Sequence, residues 1–155
     1  AGDIDGGAVT FIQKKLGLSA DGMSNLLNKK SGVLGISGVS SDMREVEAAE
    51  KAGNPRAILA MQMYNYAIKK YIGSYAFAMG GVDVIVFTAG VGENQIGMRE
   101  GVCKDLEFVG VKLDPEKNNV RGKEAVISAD DSKVKVVVIP TDEELMIATD
   151  TMNLI

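Results

Sequence analysis

One segment restricts the possible folds more than any other: a nearly continuous apolar run over residues 82–87 that is rich in β-branched side chains. Such a run is typical of a strand that is covered on both faces, as in the parallel sheets of α/β proteins. It breaks at Ala89–Asn94, where two glycines interrupt it, and a helical spacing of apolar residues resumes at Met98. The segment therefore predicts a buried strand, a glycine-rich junction and a helix.

A long helix is predicted before this strand. Asn54-Pro55 combines a helix-capping residue with proline at the first helical position, which is a strong start signal. The helix is expected to run to about Met79. Its apolar residues recur every three or four positions, a spacing that favours core packing over a ligand pocket. They are Ile58, Met61, Ile68, Ile72, Tyr75 and Met79.

The sequence pattern of residues 1–53 indicates short helices that are joined by glycine-rich segments. One helix is expected over Val9–Leu16, one is capped by Ser19, and one begins at Ser41 and ends at a glycine cap, Gly53. Between the last two, residues 32–38 predict an apolar loop or a short strand.

The last part of the chain predicts further strands. They are expected at Phe108–Leu113, Ala125–Ser128 and Val134–Ile139, with a turn at Asp130-Asp131 and a final helix after Pro140. We therefore expect a single α/β domain portion, with a helical lead-in over residues 1–53, a long helix over 54–80 and an α/β layer over 81–155.

Composition excludes several classes of protein. The 155 residues carry a net charge of −4, and 46% are hydrophobic, which is too apolar for a disordered chain. The acidic balance argues against a nucleic-acid partner, and no apolar run approaches the roughly 20 residues of a membrane span. Cys103 is the only cysteine, which favours a reducing cytoplasm. Histidine is absent from the sequence, so the commonest general base is not available.

The first candidate site is the junction Thr88–Asn94. Glycines after a buried strand let a ligand approach the backbone, and the helix that follows offers free N–H groups to an anion. Gln95 stands where the dinucleotide-binding fingerprint needs its third glycine, and no Gly-Lys-Ser/Thr follows as in a P-loop. From the spacing, both a tight structural turn and a nucleotide loop remain open.

The second candidate site is the junction Pro140–Leu145. Thr141 and Glu144 have the spacing of a capping box, and Asp142 and Glu143 would complement the helix dipole. Alternatively, Glu143 is a hard oxygen ligand for Mg²⁺. If the two strands before these junctions are parallel, both junctions lie at one sheet edge, where α/β sheets bind ligands.

Several stretches resemble the acetate kinase family. The segment Val84–Asn94 resembles the family's nucleotide motif, and Ile139–Leu145 is similar to its C-terminal metal-binding segment. Asn28–Gly38 and Ser40–Arg44 resemble two further family stretches, and Ala1–Asp5 resembles the stretch just after its catalytic arginine. The resemblance covers essentially the whole chain in order.

The resemblance implies a portion of the acetate and sugar kinase, Hsc70 and actin fold, which is ribonuclease H-like. It also implies MgATP-dependent phosphorylation of acetate to acetyl phosphate, with ADP as the other product, by a cytoplasmic homodimer. Matched position by position, the nucleotide-binding residues are Asp42, Met43, Arg44, Gly90, Val91, Gly92, Glu93 and Asn94, and Glu143 is the Mg²⁺ ligand. Met43 and Asp142 depart from the family pattern, which commonly has phenylalanine and asparagine there.

The resemblance implies no catalytic residue in this chain. The family's catalytic histidine and arginines are expected upstream of Ala1, so the chain matches the nucleotide side of the enzyme. A propionate kinase of the same family is an alternative, because the acid-binding pocket is also expected upstream. A non-catalytic nucleotide-binding or assembly module is a second alternative, from a different class.

Overall fold

The computed structural model describes residues 2–154, so Ala1 of the Ala1–Asp5 stretch lies outside the described residues. The chain forms two compact units, one up to Tyr64 and one from Asn65 onward. The division falls inside the longest helix, and each unit is described separately below.

The first unit is helical. It contains α1 (Gly6–Leu16), α2 (Ala20–Lys29), α3 (Gly32–Ser37), α4 (Met43–Lys51) and the beginning of α5 (Pro55–Met79). Ser19 caps α2 as predicted, because its hydroxyl accepts a hydrogen bond from the N–H of Gly22. The core packs Val46 of α4 against Ala57, Ala60 and Met61 of α5.

The predicted junction between α4 and α5 is confirmed. Gly53 follows α4 in the left-handed region, with φ at +81°, and the N–H of Asn54 donates to the carbonyl of Ala49. The side chain of Asn54 then accepts hydrogen bonds from the N–H groups of Arg56 and Ala57, at 3.0 and 3.1 Å. One helix therefore ends and the next begins within four residues, as the local signals require.

Residues 32–38 were predicted as a loop or short strand, but Gly32–Ser37 form the helix α3. Its last carbonyls lack partners within the helix, and Arg56 of α5 donates to those of Ile36 and Gly35, at 2.7 and 3.0 Å. Because this support comes from 20 residues away along the chain, the local sequence did not indicate it.

The second unit is an α/β layer. Its sheet contains β1 (Val84–Phe87), β2 (Ala125–Val126) and β3 (Lys135–Val138) in the order β1-β3-β2, with β1 parallel and β2 antiparallel to β3. The helices are α6 (Ala89–Asn94), α7 (Ile96–Cys103) and α8 (Glu143–Asn153). A turn at residues 130–131 joins β2 to β3, as predicted.

Two expectations about the strands were wrong. Residues 107–109 form a 3-10 turn, and Val111 and Leu113 make only single bridges to Val134 and Ser128. Strand β1 is not covered on both faces: Ile85 and Phe87 are buried, whereas Val84 and Val86 are each 49% exposed. Within this unit, the apolar run is thus a half-buried strand.

The apolar stripe of α5 is buried near the beginning of the helix and exposed near its end. Met61 is buried in the first unit, as core packing requires, but Tyr75 and Met79 are 62% and 68% exposed. Of the helices described over residues 2–154, none combines the length and the apolarity that a membrane span needs.

Candidate functional site

Both candidate junctions lie at one edge of the sheet. The register pairs Phe87 with Val138, so the parallel strands β1 and β3 end side by side. Helix α6 begins two residues after β1, and α8 begins five residues after β3. This arrangement confirms that the two strands are parallel, the condition under which their loops share a ligand-binding edge.

A carboxylate joins the two junctions directly. Oε1 of Glu93, in α6, accepts hydrogen bonds from the backbone N–H and the side-chain hydroxyl of Thr141, at 2.9 and 3.0 Å. Thr141 lies two residues before Glu143. The segment that carries the predicted metal ligand is therefore attached to the segment that carries the predicted nucleotide loop.

The two glycines of the predicted nucleotide motif have different surroundings. A Cβ atom at Gly92 would lie 3.1 Å from the carbonyl carbon of Phe87, so the buried Gly92 lets α6 pack closely on β1. A Cβ atom at Gly90 would meet nothing within 4 Å. Gly92 thus has a structural explanation, whereas the open space at Gly90 leaves its backbone approachable by a ligand.

Ala89 is held in an unfavourable backbone conformation. Its φ is +57°, in the left-handed region that costs a non-glycine residue roughly 1–2 kcal/mol. The residue stands between the end of β1 and Gly90. Strain of this kind concentrates at ligand-binding segments, where the surrounding structure maintains it.

We expect Ala89→Gly to stabilise the fold by up to about 1 kcal/mol, because relief of strain exceeds the entropy that glycine adds to the unfolded chain. The measurement is the free energy of unfolding in urea. Ala67→Gly, at an exposed helical position of α5, is the matched control and should destabilise by about 0.5–1 kcal/mol. Equal destabilisation by both variants would contradict the strain at Ala89.

Sequence reasoning missed Arg99, a fully buried cation on α7. Its guanidinium donates to the carbonyl of Gly92 at 2.8 Å, to Oδ1 of Asn118 at 2.7 Å and to the carbonyls of Asn118 and Val120 at 2.9 and 2.8 Å. Burial lowers the pKa of Arg99. The available signal was its position on the same helix face as the apolar Val102 and Cys103.

The other carbonyls at the end of α6 are also satisfied from outside the helix. The N–H of Gly122 donates to the carbonyl of Glu93 at 3.3 Å, and the guanidinium of Arg121 donates to the carbonyl of Asn94. Within α6, the side-chain amide of Asn94 donates a hydrogen bond to the carbonyl of Gly90, at 2.9 Å. These contacts hold the short helix in place from its C-terminal end.

The cap of α8 differs from the predicted capping box. Oδ1 of Asp142 accepts from the N–H of Leu145 at 3.0 Å, so Asp142 is the capping residue. The hydroxyl of Thr141, one residue earlier, donates a hydrogen bond to Oε1 of Glu93. Glu144 therefore lies in the first turn of α8 with no part in the cap.

The surroundings of Glu143 fit a magnesium site to which the protein supplies a single carboxylate. Its side chain is exposed, and among residues 2–154 its carboxylate has no hydrogen-bond or ion-pair partner. The described residues contain no group of three or more histidine, cysteine, aspartate or glutamate side chains placed to hold a metal ion. Mg²⁺ usually keeps several waters and takes one or two carboxylates together with substrate phosphates, so a single carboxylate suits it.

Asp42, Met43 and Arg44 belong to the first unit. Asp42 caps α4 by accepting from the N–H of Arg44 at 2.9 Å, and its carboxylate pairs with the Arg44 guanidinium at 2.6 Å. The Arg44 side-chain hydrogen bond is the main reason that the pKa of Asp42 falls to about 2. The Arg44 side chain is 87% exposed, and Met43 packs against the core of the unit.

Two other features lie apart from these segments. Burial raises the pKa of Cys103 to about 11, so this thiol is a poor nucleophile. A surface cavity of about 710 Å³ lies beside α1 and is lined by residues such as Phe11 and Lys14. Neither brings together groups that suit phosphoryl chemistry.

Comparison with known proteins places these features in a family. The model of the acetokinase family matches residues 1–149. The acetate kinases of Phocaeicola vulgatus and Bacteroides fragilis are 72% and 70% identical to the whole chain, which spans 39% of each.

Solved structures agree with these matches. The crystal structure of Porphyromonas gingivalis acetate kinase superposes with a TM-score of 0.91 at 63% identity, over 99% of this chain and 39% of that protein. A propionate kinase from Francisella tularensis gives 0.88 at 38% identity, over 100% of this chain and 39% of that protein. The predicted α/β fold class is thereby confirmed.

Proposed function

The chain belongs to the acetokinase family, and we propose that it supplies the nucleotide and Mg²⁺ side of an acetate kinase. Such an enzyme transfers the γ-phosphoryl group of ATP to acetate, giving acetyl phosphate and ADP, in a reversible reaction. The observation that supports this most directly is the parallel pairing of β1 with β3, which brings the Gly90 and Glu143 segments to one edge.

We assign nucleotide contacts to Gly90–Asn94 and, separately, to Asp42–Arg44 of the first unit, as the family resemblance implies. The open backbone at Gly90 supports the first assignment, and the exposed guanidinium of Arg44, although it pairs with Asp42, supports the second. The side chains of Glu93 and Asn94 already have partners within the protein, so we assign their contribution mainly to shaping the loop. Phosphoryl transfer depends largely on such positioning, because little covalent chemistry falls to the protein.

We assign Glu143 as the carboxylate that would hold Mg²⁺. When bound, the metal would neutralise charge on the phosphate oxygens and orient them for transfer. Asp142 supports Glu143 by fixing the start of α8 through its hydrogen bond to Leu145. The residues that act on the transferring phosphoryl group are, in this proposal, outside the 155 residues.

Propionate kinase is the second candidate for the same site. The 38% identity to the Francisella tularensis propionate kinase over the whole chain supports it. The choice between acetate and propionate depends on an acid-binding pocket that we place outside this chain. The ratio of kcat/KM values for the two acids, measured on the full-length protein, distinguishes these candidates.

The test of the proposal uses the 155-residue chain itself. We expect ATP or ADP to raise its melting temperature modestly, since binding at a hundredfold excess over Kd stabilises the folded state by about 2.7 kcal/mol. We expect no acetyl phosphate formation from ATP and acetate, and restoration when the remaining part of the enzyme is added. Robust turnover by the chain alone would contradict the assignment as a binding portion, and the absence of any nucleotide effect on a folded sample would favour an assembly module.

We also propose that the full-length enzyme is a cytoplasmic homodimer. Family membership supports this, as do the exposed apolar side chains in the second half of α5, among them Tyr75, Phe77 and Met79. Light scattering at micromolar concentration is expected to give the mass of two chains. A monomer under these conditions would contradict the proposal.

A further inference from the structure

The contact between Glu93 and Thr141 gives a single oxygen two donors from one residue. Oε1 of Glu93 lies 2.9 Å from the backbone nitrogen and 3.0 Å from the hydroxyl of Thr141. The two residues are 48 positions apart along the chain. A hydrogen bond that ends on an ionised carboxylate is roughly twice as strong as one between neutral groups.

Each end of this contact is fixed by further bonds. On one side, the carbonyl of Glu93 accepts from the N–H of Gly122, and the buried Arg99 donates to the neighbouring carbonyl of Gly92. On the other side, Thr141 directly precedes Asp142, which caps α8. The position of Glu143, the first residue of α8, is therefore tied through Thr141 to α6.

We propose that Glu93 is a positioning residue, whose carboxylate holds Thr141 so that Glu143 faces the nucleotide loop in the geometry that the metal requires. This role rests on the proposed function, because it takes Glu143 as the magnesium ligand. It differs from a direct contact between Glu93 and the nucleotide, which the family resemblance alone would suggest. The carboxylate acts through Thr141, and the phosphates are bound by other groups.

The positioning role makes a specific demand on the side chain. The carbonyl oxygen of a glutamine can accept both hydrogen bonds from Thr141 without carrying a charge. Glu93→Gln should therefore retain part of the positioning, through weaker hydrogen bonds, whereas Glu93→Ala should lose both bonds to Thr141. A residue that bound the metal or repelled the phosphates through its charge would show equal effects for both substitutions.

The experiment compares Glu93→Ala, Glu93→Gln, Thr141→Val, Thr141→Ser and the double variant of Glu93→Ala with Thr141→Val in the full-length protein. Three quantities are measured: hydrogen exchange at the Thr141 amide without ligands, the Mg²⁺ concentration for half-maximal activity at saturating ATP, and ATP affinity in EDTA. In Glu93→Ala we expect faster Thr141 exchange and an approximately tenfold rise in the Mg²⁺ requirement, the low end of what supporting partners of metal ligands contribute. ATP affinity in EDTA should change less than about twofold, because the metal is absent.

The other variants serve as matched controls. The Mg²⁺ requirement of Glu93→Gln should fall between those of the wild type and Glu93→Ala, because a neutral oxygen accepts weaker hydrogen bonds. Thr141→Ser should stay near the wild type, and Thr141→Val should show an intermediate Mg²⁺ requirement and add nothing in the Glu93→Ala background. An unchanged Mg²⁺ requirement in Glu93→Ala, with normal ATP binding, would overturn the positioning role alone. Equal loss of metal-free ATP affinity in Glu93→Ala and Glu93→Gln would show a direct nucleotide contact instead. A wild-type protein that binds no ATP would overturn the proposed function, and the Thr141 exchange rates would still report the contact.

Discussion

Glu143→Gln is expected to lower kcat of the full-length enzyme at least about tenfold and to raise its Mg²⁺ requirement, because a neutral amide is a poorer ligand for a hard cation. Partners that merely support a metal ligand already contribute about 10- to 100-fold, so loss of the ligand itself should reach that range. The measurement is the initial rate of acetyl phosphate formation as a function of Mg²⁺ concentration.

Glu144→Gln is the matched control for this prediction. Glu144 follows Glu143 in the first turn of α8, carries the same charge and takes no part in the Asp142 cap. Its substitution removes only an interaction with the helix dipole, worth about 0.3–1 kcal/mol. If both variants lose the same small amount of activity, Glu143 is a dipole partner of α8 and no metal ligand.

Gly92→Val is expected to lower the free energy of unfolding by about 1–3 kcal/mol, the usual cost of overpacking a buried site. A Cβ atom there would already lie 3.1 Å from the carbonyl carbon of Phe87, and the two methyl groups of valine add further contacts. Chemical denaturation measures the change. The sequence alone would lead us to expect a selective loss of ATP binding. Because α6 packs closely on β1 at Gly92, we expect a loss of stability first.

Gly90→Ala separates stability from binding. The space at Gly90 is open, so alanine should fold normally, while its methyl group obstructs the backbone that we assign to the nucleotide. We expect weaker ATP binding in calorimetry with an unchanged unfolding midpoint. Normal ATP affinity in a stable Gly90→Ala protein would contradict the placement of the nucleotide at this loop.

The features that local sequence determines were predictable. Helix α5 begins at Pro55 because Asn54 and Pro55 carry the start signal within two residues, and it ends at Met79 as its apolar spacing indicates. The strands β1 and β3 were visible as β-branched runs. The meeting of the two junctions at one edge was predictable on the condition that these strands are parallel, which the register confirms.

The features that depend on distant partners were not predictable. The hydroxyl of Thr141 looked like a helix cap because its spacing to Glu144 is that of a capping box, but Glu93 accepts its hydrogen bond. The sequence did not indicate a role for Arg99, because its four acceptors lie on Gly92, Asn118 and Val120, outside its own helix. In both cases the deciding atom lies on a segment that no local pattern connects to the residue.

The parallel pairing of β1 with β3 has a kinetic consequence for how the site forms. Val84 pairs with Lys135, 51 positions later (135 − 84 = 51), so the two strands meet only after a long loop has closed. Contacts of such high sequence separation raise the contact order, and proteins that depend on them fold more slowly than helical bundles. We therefore expect the helices of the first 64 residues to form early during refolding, and affinity for ATP to appear only with the slowest phase, when the two strands pair.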